Sequence, residues 1–231
     1  MRRQSDVYAG DHMLLICASP RRGGTSAMLL TRLQQAVGGE VVFLYDAAHL
    51  ADVVAAMQEA NTIVVSGPCY INAYPALLCE LLERAGEVGA WRGQKLYGII
   101  NGGMPYIHTH KPGVESLRLF AEKNGLAWMG SFVLGGGAML DGRPLEKHLS
   151  ARRIVPAFHA FVRHVADGTS VPDRLAEDAQ KKPGRLIAHL ISKLLNRSVD
   201  RRLRAFGHDP YGPPAACPAR PEEQGDVRDR L

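Results

Sequence analysis

The residue types best suited to chemistry in this chain gather in three short segments. The first, Ser19-Pro-Arg-Arg-Gly-Gly-Thr-Ser26, holds three hydroxyls, two guanidiniums and a glycine pair that lets backbone N–H groups approach an anion. The helix predicted to follow it adds the positive end of a helix dipole. In physical terms this is a phosphate cradle. It is not a Walker loop, having no G-K-[ST], and it lacks the G-x-G-x-x-G dinucleotide pattern. A plain turn capped by Thr25 or Ser26 accounts for one hydroxyl, but for neither the arginines nor the density of donors.

The second segment, Gly67-Pro-Cys-Tyr-Ile-Asn-Ala-Tyr-Pro75, offers flat apolar surface next to the polar Asn72, which suits a planar heteroaromatic ring. Taken alone, packing on a neighbouring loop or a second subunit explains it equally well. The third, Asn101-Gly-Gly-Met-Pro-Tyr-Ile107, carries paired glycines that permit close backbone approach; alone, it also reads as a tight turn. Gathered along one edge, the three supply a phosphate site, a ring site and backbone donors. That combination describes a site for flavin mononucleotide (FMN).

The elements that must position these segments alternate strictly. A continuous apolar run at 13–18 reads as a central strand buried on both faces, and 40–45, 62–66, 95–101 and 126–134 complete a set of five. Helical spacing predicts helices over 26–37, 51–60, 75–87, 112–124 and 146–166, the third beginning with Pro75 in its first turn. Five strands and five helices in alternation predict a doubly wound α/β sheet, whose ligands bind outside the carboxyl ends of the strands. All three segments leave such ends.

The motifs SPRRGGTS, GPCYINAYPALLCELLER and the NGG strand end resemble the NAD(P)H-dependent FMN reductase and iron–sulfur flavoprotein group of flavodoxin-like proteins. In that group the first loop reads roughly G-S-P-R-x-x-G-N-T-S, and a later strand ends in P-x-Y followed by a P-x-x-x-K-x-x-x-D-R helix. Leu134-Gly-Gly-Gly-Ala138 resembles a further feature of the family. The likeness spans about residues 13–168, and its first loop is the most specific part. It implies a flavodoxin-like sheet of order 2-1-3-4-5. Phosphate would be held by Ser19, Arg21, Thr25 and Ser26, with Gly24 in the same loop. The isoalloxazine edge would be met by Pro68, Cys69, Tyr70, Ile71 and Asn72 and by Asn101, Gly102 and Gly103. The chain departs in having a first loop one residue shorter, with Gly24 at the usual asparagine. Cys79 and Glu83 stand at the usual Lys and Asp positions, and the cluster-ligating cysteines are absent. These departures point to the branch without an iron–sulfur cluster.

The expected activity is hydride transfer from NAD(P)H through FMN to a quinone, flavin or other small acceptor. The flavin carries the chemistry, so no side chain is assigned as catalytic; Tyr70, Asn72 and the backbone near Gly102 are expected to orient and tune the ring. Two other readings stand beside it: a flavodoxin-type electron carrier, and a binding module whose flavin site has decayed. His108 and His110 follow the third segment and are expected to be solvated rather than functional.

Composition bounds the rest. Of 231 residues, 46% are hydrophobic and 22% charged, as in an ordinary globular protein. No stretch suits a membrane span, and the apolar run at 13–18 is too short for a secretory signal, so a cytoplasmic protein is expected. Cys17, Cys69, Cys79 and Cys217 show no metal-site spacing. Between Lys181 and Phe206 eight Lys or Arg face one acid, Asp200, so the net charge of +5 belongs to an appendage and gives no reason to expect nucleic-acid binding. The expected division is an extension at 1–12, the FMN-binding domain at 13–168, a linker with a basic amphipathic helix at 169–206, and a disordered tail at 207–231. The stripe of Leu186, Ile187, Leu190, Ile191, Leu194, Leu195 and Val199 fits docking on its own domain, a homodimer or homotetramer contact, or an anionic membrane surface. The membrane ranks last at this stage because the stripe has no Trp.

Overall fold

A computed structural model of the chain describes residues 12–70, 73–175 and 184–212. They form two compact units, one ending at Leu175 and one starting at Gly184. In the first unit, five strands alternate with five helices: β1 (Met13–Cys17), α1 (Thr25–Val37), β2 (Glu40–Phe43), α2 (Leu50–Glu59), β3 (Thr62–Pro68), α3 (Ala76–Val88), β4 (Lys95–Asn101), α4 (Lys111–Asn124), β5 (Ala127–Leu134) and α5 (Ala151–Ala166). The strands form one parallel sheet of order β2-β1-β3-β4-β5.

Side chains that alternate along each strand divide the core into two layers. Leu14 and Ile16 of β1 join Ile63, Val65, Leu96 and Ile100 on the face covered by α2, α3 and α4, where Met57, Leu78, Leu81 and Leu117 pack. Met13, Leu15 and Cys17 point the other way, toward Val64, Tyr97, Ile99 and Phe132, beneath Leu29 and Leu33 of α1 and Phe158 and Phe161 of α5. A sheet covered on both faces needs uninterrupted apolar strands, which is why β1 and β3 are buried along their whole length.

Several boundaries differ from the sequence expectation for visible reasons. The second strand stops at Phe43, and a short 3-10 turn (Leu44–Asp46) tucks Leu44 into the core and leaves Tyr45 exposed. Pro75 is the residue before α3 and lies outside its first turn. The last helix of the sheet domain starts at Ala151 rather than 146. Ahead of it, Glu146 is held by a two-pronged bond from Arg32 (3.0 and 2.6 Å), and the Ser150 N–H donates to His148 Nδ1 at 3.0 Å.

Contact with the sheet also continues past Gly168. Parallel register between β4 and β5 slips so that Leu96 faces Trp128 and Tyr97 faces Gly130, and Met129 has no register partner. Its carbonyl accepts instead from the Val171 N–H at 2.7 Å, while the Tyr97 hydroxyl donates to the Thr169 carbonyl at 3.0 Å. Val171 is buried in the second core layer, so the start of the segment read as a linker belongs to the sheet domain.

The second unit contains α6 (Arg185–Ala205), followed by a turn in which the Tyr211 hydroxyl donates to Asp200 at 2.7 Å. The extension expected up to residue 11, the expected linker over 176–183, and the expected tail beyond Gly212 with Cys217 lie outside the described residues.

Candidate functional site

At the carboxyl ends of β1, β3 and β4 the loops are tied together by one buried side chain. Asn101, at the end of β4, donates to Ser26 Oγ of the first loop at 2.7 Å and lies 3.4 Å from the Gly67 carbonyl of β3. Its own carbonyl accepts from the Cys69 N–H at 2.7 Å. Ser66 adds a bond from its hydroxyl to the Ser26 carbonyl at 2.9 Å. Asn101 and Ser26 are both buried, so each needs the other to satisfy its polar group.

The loop after β5 closes over the first loop from the opposite side. Thr25 Oγ1 donates to the Gly137 carbonyl at 2.7 Å, and the Gly142 N–H lies 3.3 Å from the same oxygen. Gly142 has a φ of +79°, and a Cβ there would stand 1.9 Å from the Gly23 carbonyl oxygen. Only glycine fits this contact. The hydroxyls of Thr25 and Ser26, read from the sequence as phosphate ligands, are thus engaged in joining the loops.

What remains at the surface of the first loop is cationic. Arg21, Arg22 and Gly23 are exposed. Gly24 is the residue before α1, with its N–H on the Arg21 carbonyl at 3.1 Å, and no side chain caps the first turn of that helix. No acid lies in that turn, so the positive end of the helix meets no internal anion there. Ser19 is buried, its Oγ accepting the Arg21 N–H at 3.2 Å. The two guanidiniums are paired with carboxylates distant in sequence: Arg21 with Asp141, and Arg22 with Asp46 at 2.6 Å. Both arginines and Asp141 are exposed to solvent, and ion pairs in that setting contribute about 0–1 kcal/mol each, so another anion exchanges for them at small cost.

The remaining predicted residues divide between scaffold and surface. Pro68, Cys69, Asn101 and Gly102 are buried; Tyr70 and Gly103 are exposed. Tyr70 exchanges backbone bonds with Ala73 (2.6 and 2.9 Å); Ile71 and Asn72 lie outside the described residues. Cys17, Cys69 and Cys79 are thiols rather than disulfides. Tyr70 has company that the sequence reading missed. Tyr45 follows β2, Met104 follows β4 and Met139 follows β5, and all three are exposed large apolar side chains, as Tyr70 is. The strand ends of β2, β3, β4 and β5 therefore each present an apolar group to solvent, with the end of β1 lying between the first two. A cleft beside the first loop is lined by Arg22, Gly23, Ala27, Met28, Arg32 and Glu146, and includes no residue of the second or third loop.

His110 departs from the expectation of a solvated residue. It is 2% exposed, and its Nε2 meets the Met104 carbonyl at 3.1 Å, so that nitrogen carries the proton. Nδ1 has no partner and faces Gly102, whose missing side chain makes room for the ring. Burial holds the imidazole below its ordinary pKa, hence neutral. His148 is likewise pushed down by burial, with Nε2 bound to the Gly135 carbonyl at 3.0 Å. His108 is exposed and stacks on Tyr106 at 5.6 Å between ring centroids. Among the described residues no group of three or more His, Cys, Asp or Glu is placed to hold a metal ion.

The architecture matches solved structures. An FMN-dependent NADH-azoreductase from Bacillus anthracis in complex with FMN superposes with a TM-score of 0.54 and 14% identity, covering 72% of this chain and 100% of that one. A WrbA-like flavodoxin from Agrobacterium tumefaciens gives 0.51 and 13%, over 70% and 100%. An NAD(P)H:quinone oxidoreductase from Methanothermobacter marburgensis gives 0.51 and 17%, over 69% and 97%. The fold is flavodoxin-like. At such identities the likeness is one of fold alone; no protein-family model and no curated protein matches the sequence.

Proposed function

We propose that this chain binds FMN along the carboxyl edge of its sheet and uses it to pass reducing equivalents from NAD(P)H to a small acceptor such as a quinone or a flavin. The observation that carries the reading is the composition of that edge. Four strand-end loops each present an exposed Tyr or Met, while the neighbouring loop presents two exposed guanidiniums beside a helix N-terminus without a side-chain cap. A planar, apolar ring with an anionic tail is the ligand shape that uses both halves.

The donor set fits that group. Arg21, Arg22 and the N-terminal backbone of α1 would meet the phosphate, with the guanidiniums exchanging Asp141 and Asp46 for it. Thr25, Ser26 and Asn101 hold the loops in register and position the cradle from beneath. Gly102 and Gly103, supported by His110, and Tyr70 would border the ring. When bound, FMN supplies hydride uptake from nicotinamide and its release to the acceptor. Fold-level likeness to azoreductase and quinone oxidoreductase structures supports the same class of reaction by analogy.

The test is an absorbance spectrum of the purified chain after incubation with FMN and desalting, before and after anaerobic NADPH and then NADH. Retained flavin bands that bleach with either nucleotide are expected. Protein that emerges colourless after loading overturns the FMN reading, and bands that persist with both nucleotides overturn the reductase reading.

A further inference from the structure

We infer that α6 is an interfacial helix that seats the chain on an anionic lipid surface. The inference stands independently of the FMN reading. Along the helix, Leu186, Leu190, Leu194, Leu195 and Val199 recur at helical spacing and are 87, 58, 56, 52 and 54% exposed, with Phe206 just beyond the end at 80%. So many large apolar groups in water along one helix mark an interaction surface.

Charge selects the occupant. Residues 185–205 hold six Lys or Arg, four of them (Arg197, Arg201, Arg202, Arg204) in the last nine residues, against the single acid Asp200. That acid already accepts a hydrogen bond from Tyr211. A second copy of the helix packed on this face would bring together two segments that each carry six cations against one acid, so like charge opposes the pairing in either direction. A nucleic acid would engage the arginines and leave the leucines in water. A bilayer of anionic lipid satisfies both: acyl chains take the leucines, headgroups take the guanidiniums, and the long basic side chains reach outward past the apolar stripe. The helix lies along such a surface rather than through it, since no described helix is long and apolar enough to cross a membrane. This puts first the membrane surface that the sequence reading ranked last.

The experiment is co-sedimentation of the full-length protein with vesicles of phosphatidylcholine alone and of phosphatidylcholine with about a third phosphatidylglycerol. At least about tenfold stronger partition onto the anionic vesicles is expected, weakening as salt is raised. Leu190→Glu/Leu194→Glu should lower it by about tenfold, and Arg201→Gln/Arg202→Gln should lower it measurably. Leu190→Trp guards against a variant that merely unfolds the helix: its extra emission should shift to the blue on anionic vesicles. No partition onto anionic vesicles overturns the inference. So does partition unchanged by the two glutamates, or Leu190→Trp emission that ignores the vesicles. A wild-type oligomer that dissociates in the glutamate variant, without vesicle binding by wild type, would assign the face to a second copy instead.

Discussion

Replacing Asn101 with alanine should loosen the whole carboxyl edge at once, and the structure sets the size of the effect. Asn101 is 4% exposed and makes one short bond, 2.7 Å to Ser26 Oγ, and one long contact, 3.4 Å to the Gly67 carbonyl. The short bond contributes about 1 kcal/mol net, and orphaning the buried Ser26 hydroxyl adds about 1–2 kcal/mol. Asn101→Ala should therefore destabilise the sheet domain by about 2–3 kcal/mol, or about 5–10 °C in Tm for a domain of this size. Ser26→Ala removes the same bond and leaves the buried Asn101 amide with only its long contact to Gly67, and should cost about 1–2 kcal/mol. With both groups gone the shared bond is lost once and nothing is left unpaired, so the double variant should cost about 2 kcal/mol or more less than the sum of the singles. Urea unfolding of the four proteins, with the m-values compared, measures the cycle directly. A coupling within about 0.3 kcal/mol of zero would refute the assignment of Asn101 as the tie between loops. So would an Asn101→Ala variant within about 0.5 kcal/mol of wild type.

Asp141→Asn frees Arg21 from its carboxylate partner and should tighten FMN binding about two- to fivefold at low salt, with the gain fading as salt rises; a fluorescence-quenching titration that shows weaker binding would remove Arg21 from the phosphate site. Ending the chain after Gly168 deletes Val171 and both of its contacts with the sheet, costing about 2 kcal/mol or more, whereas ending it after Lys182 should leave the thermal midpoint of the sheet domain unchanged; equal midpoints for the two truncations would show that the segment is dispensable. His110 and His148 both titrate below their ordinary value when folded. The unfolded chain therefore takes up protons first, near pH ~6.5, so stability is complete above that value and declines as pH falls from it toward the folded-state pKa. Unfolding measured across pH should show a shallower decline in His110→Gln, and an unchanged decline would exclude burial of His110 as the cause.

Much of this arrangement is legible from local pattern. Apolar runs such as MLLIC and TIVVS have one physical outcome in a doubly wound sheet, and the helical spacing between them leaves little freedom in topology. The loops at the strand ends are legible because their composition is odd. Partnership across the chain is what local pattern does not carry. Asp141 lies 120 residues from Arg21, and nothing near either announces the other. Thr25 and Ser26 look like ligands because hydroxyls at a helix start usually face outward; here the glycine-lined loop after β5 comes close enough to engage one, and Asn101 engages the other. Tyr45, Met104 and Met139 fell among residues that read as core or turn, and only the fold shows that each follows a strand end.

The contact between Val171 and β5 also bears on how the chain is made. β5 is an outermost strand, and before residue 171 reaches it the Met129 carbonyl lacks its partner and the strand's edge is open to another strand. At roughly 5–20 residues per second, translation from Leu134 to Val171 leaves that edge uncovered for a few seconds. A nascent polysome, where many such edges lie side by side, is where mispairing would begin. Slowing synthesis between those two residues should then raise the insoluble fraction more than slowing it anywhere earlier in the sheet.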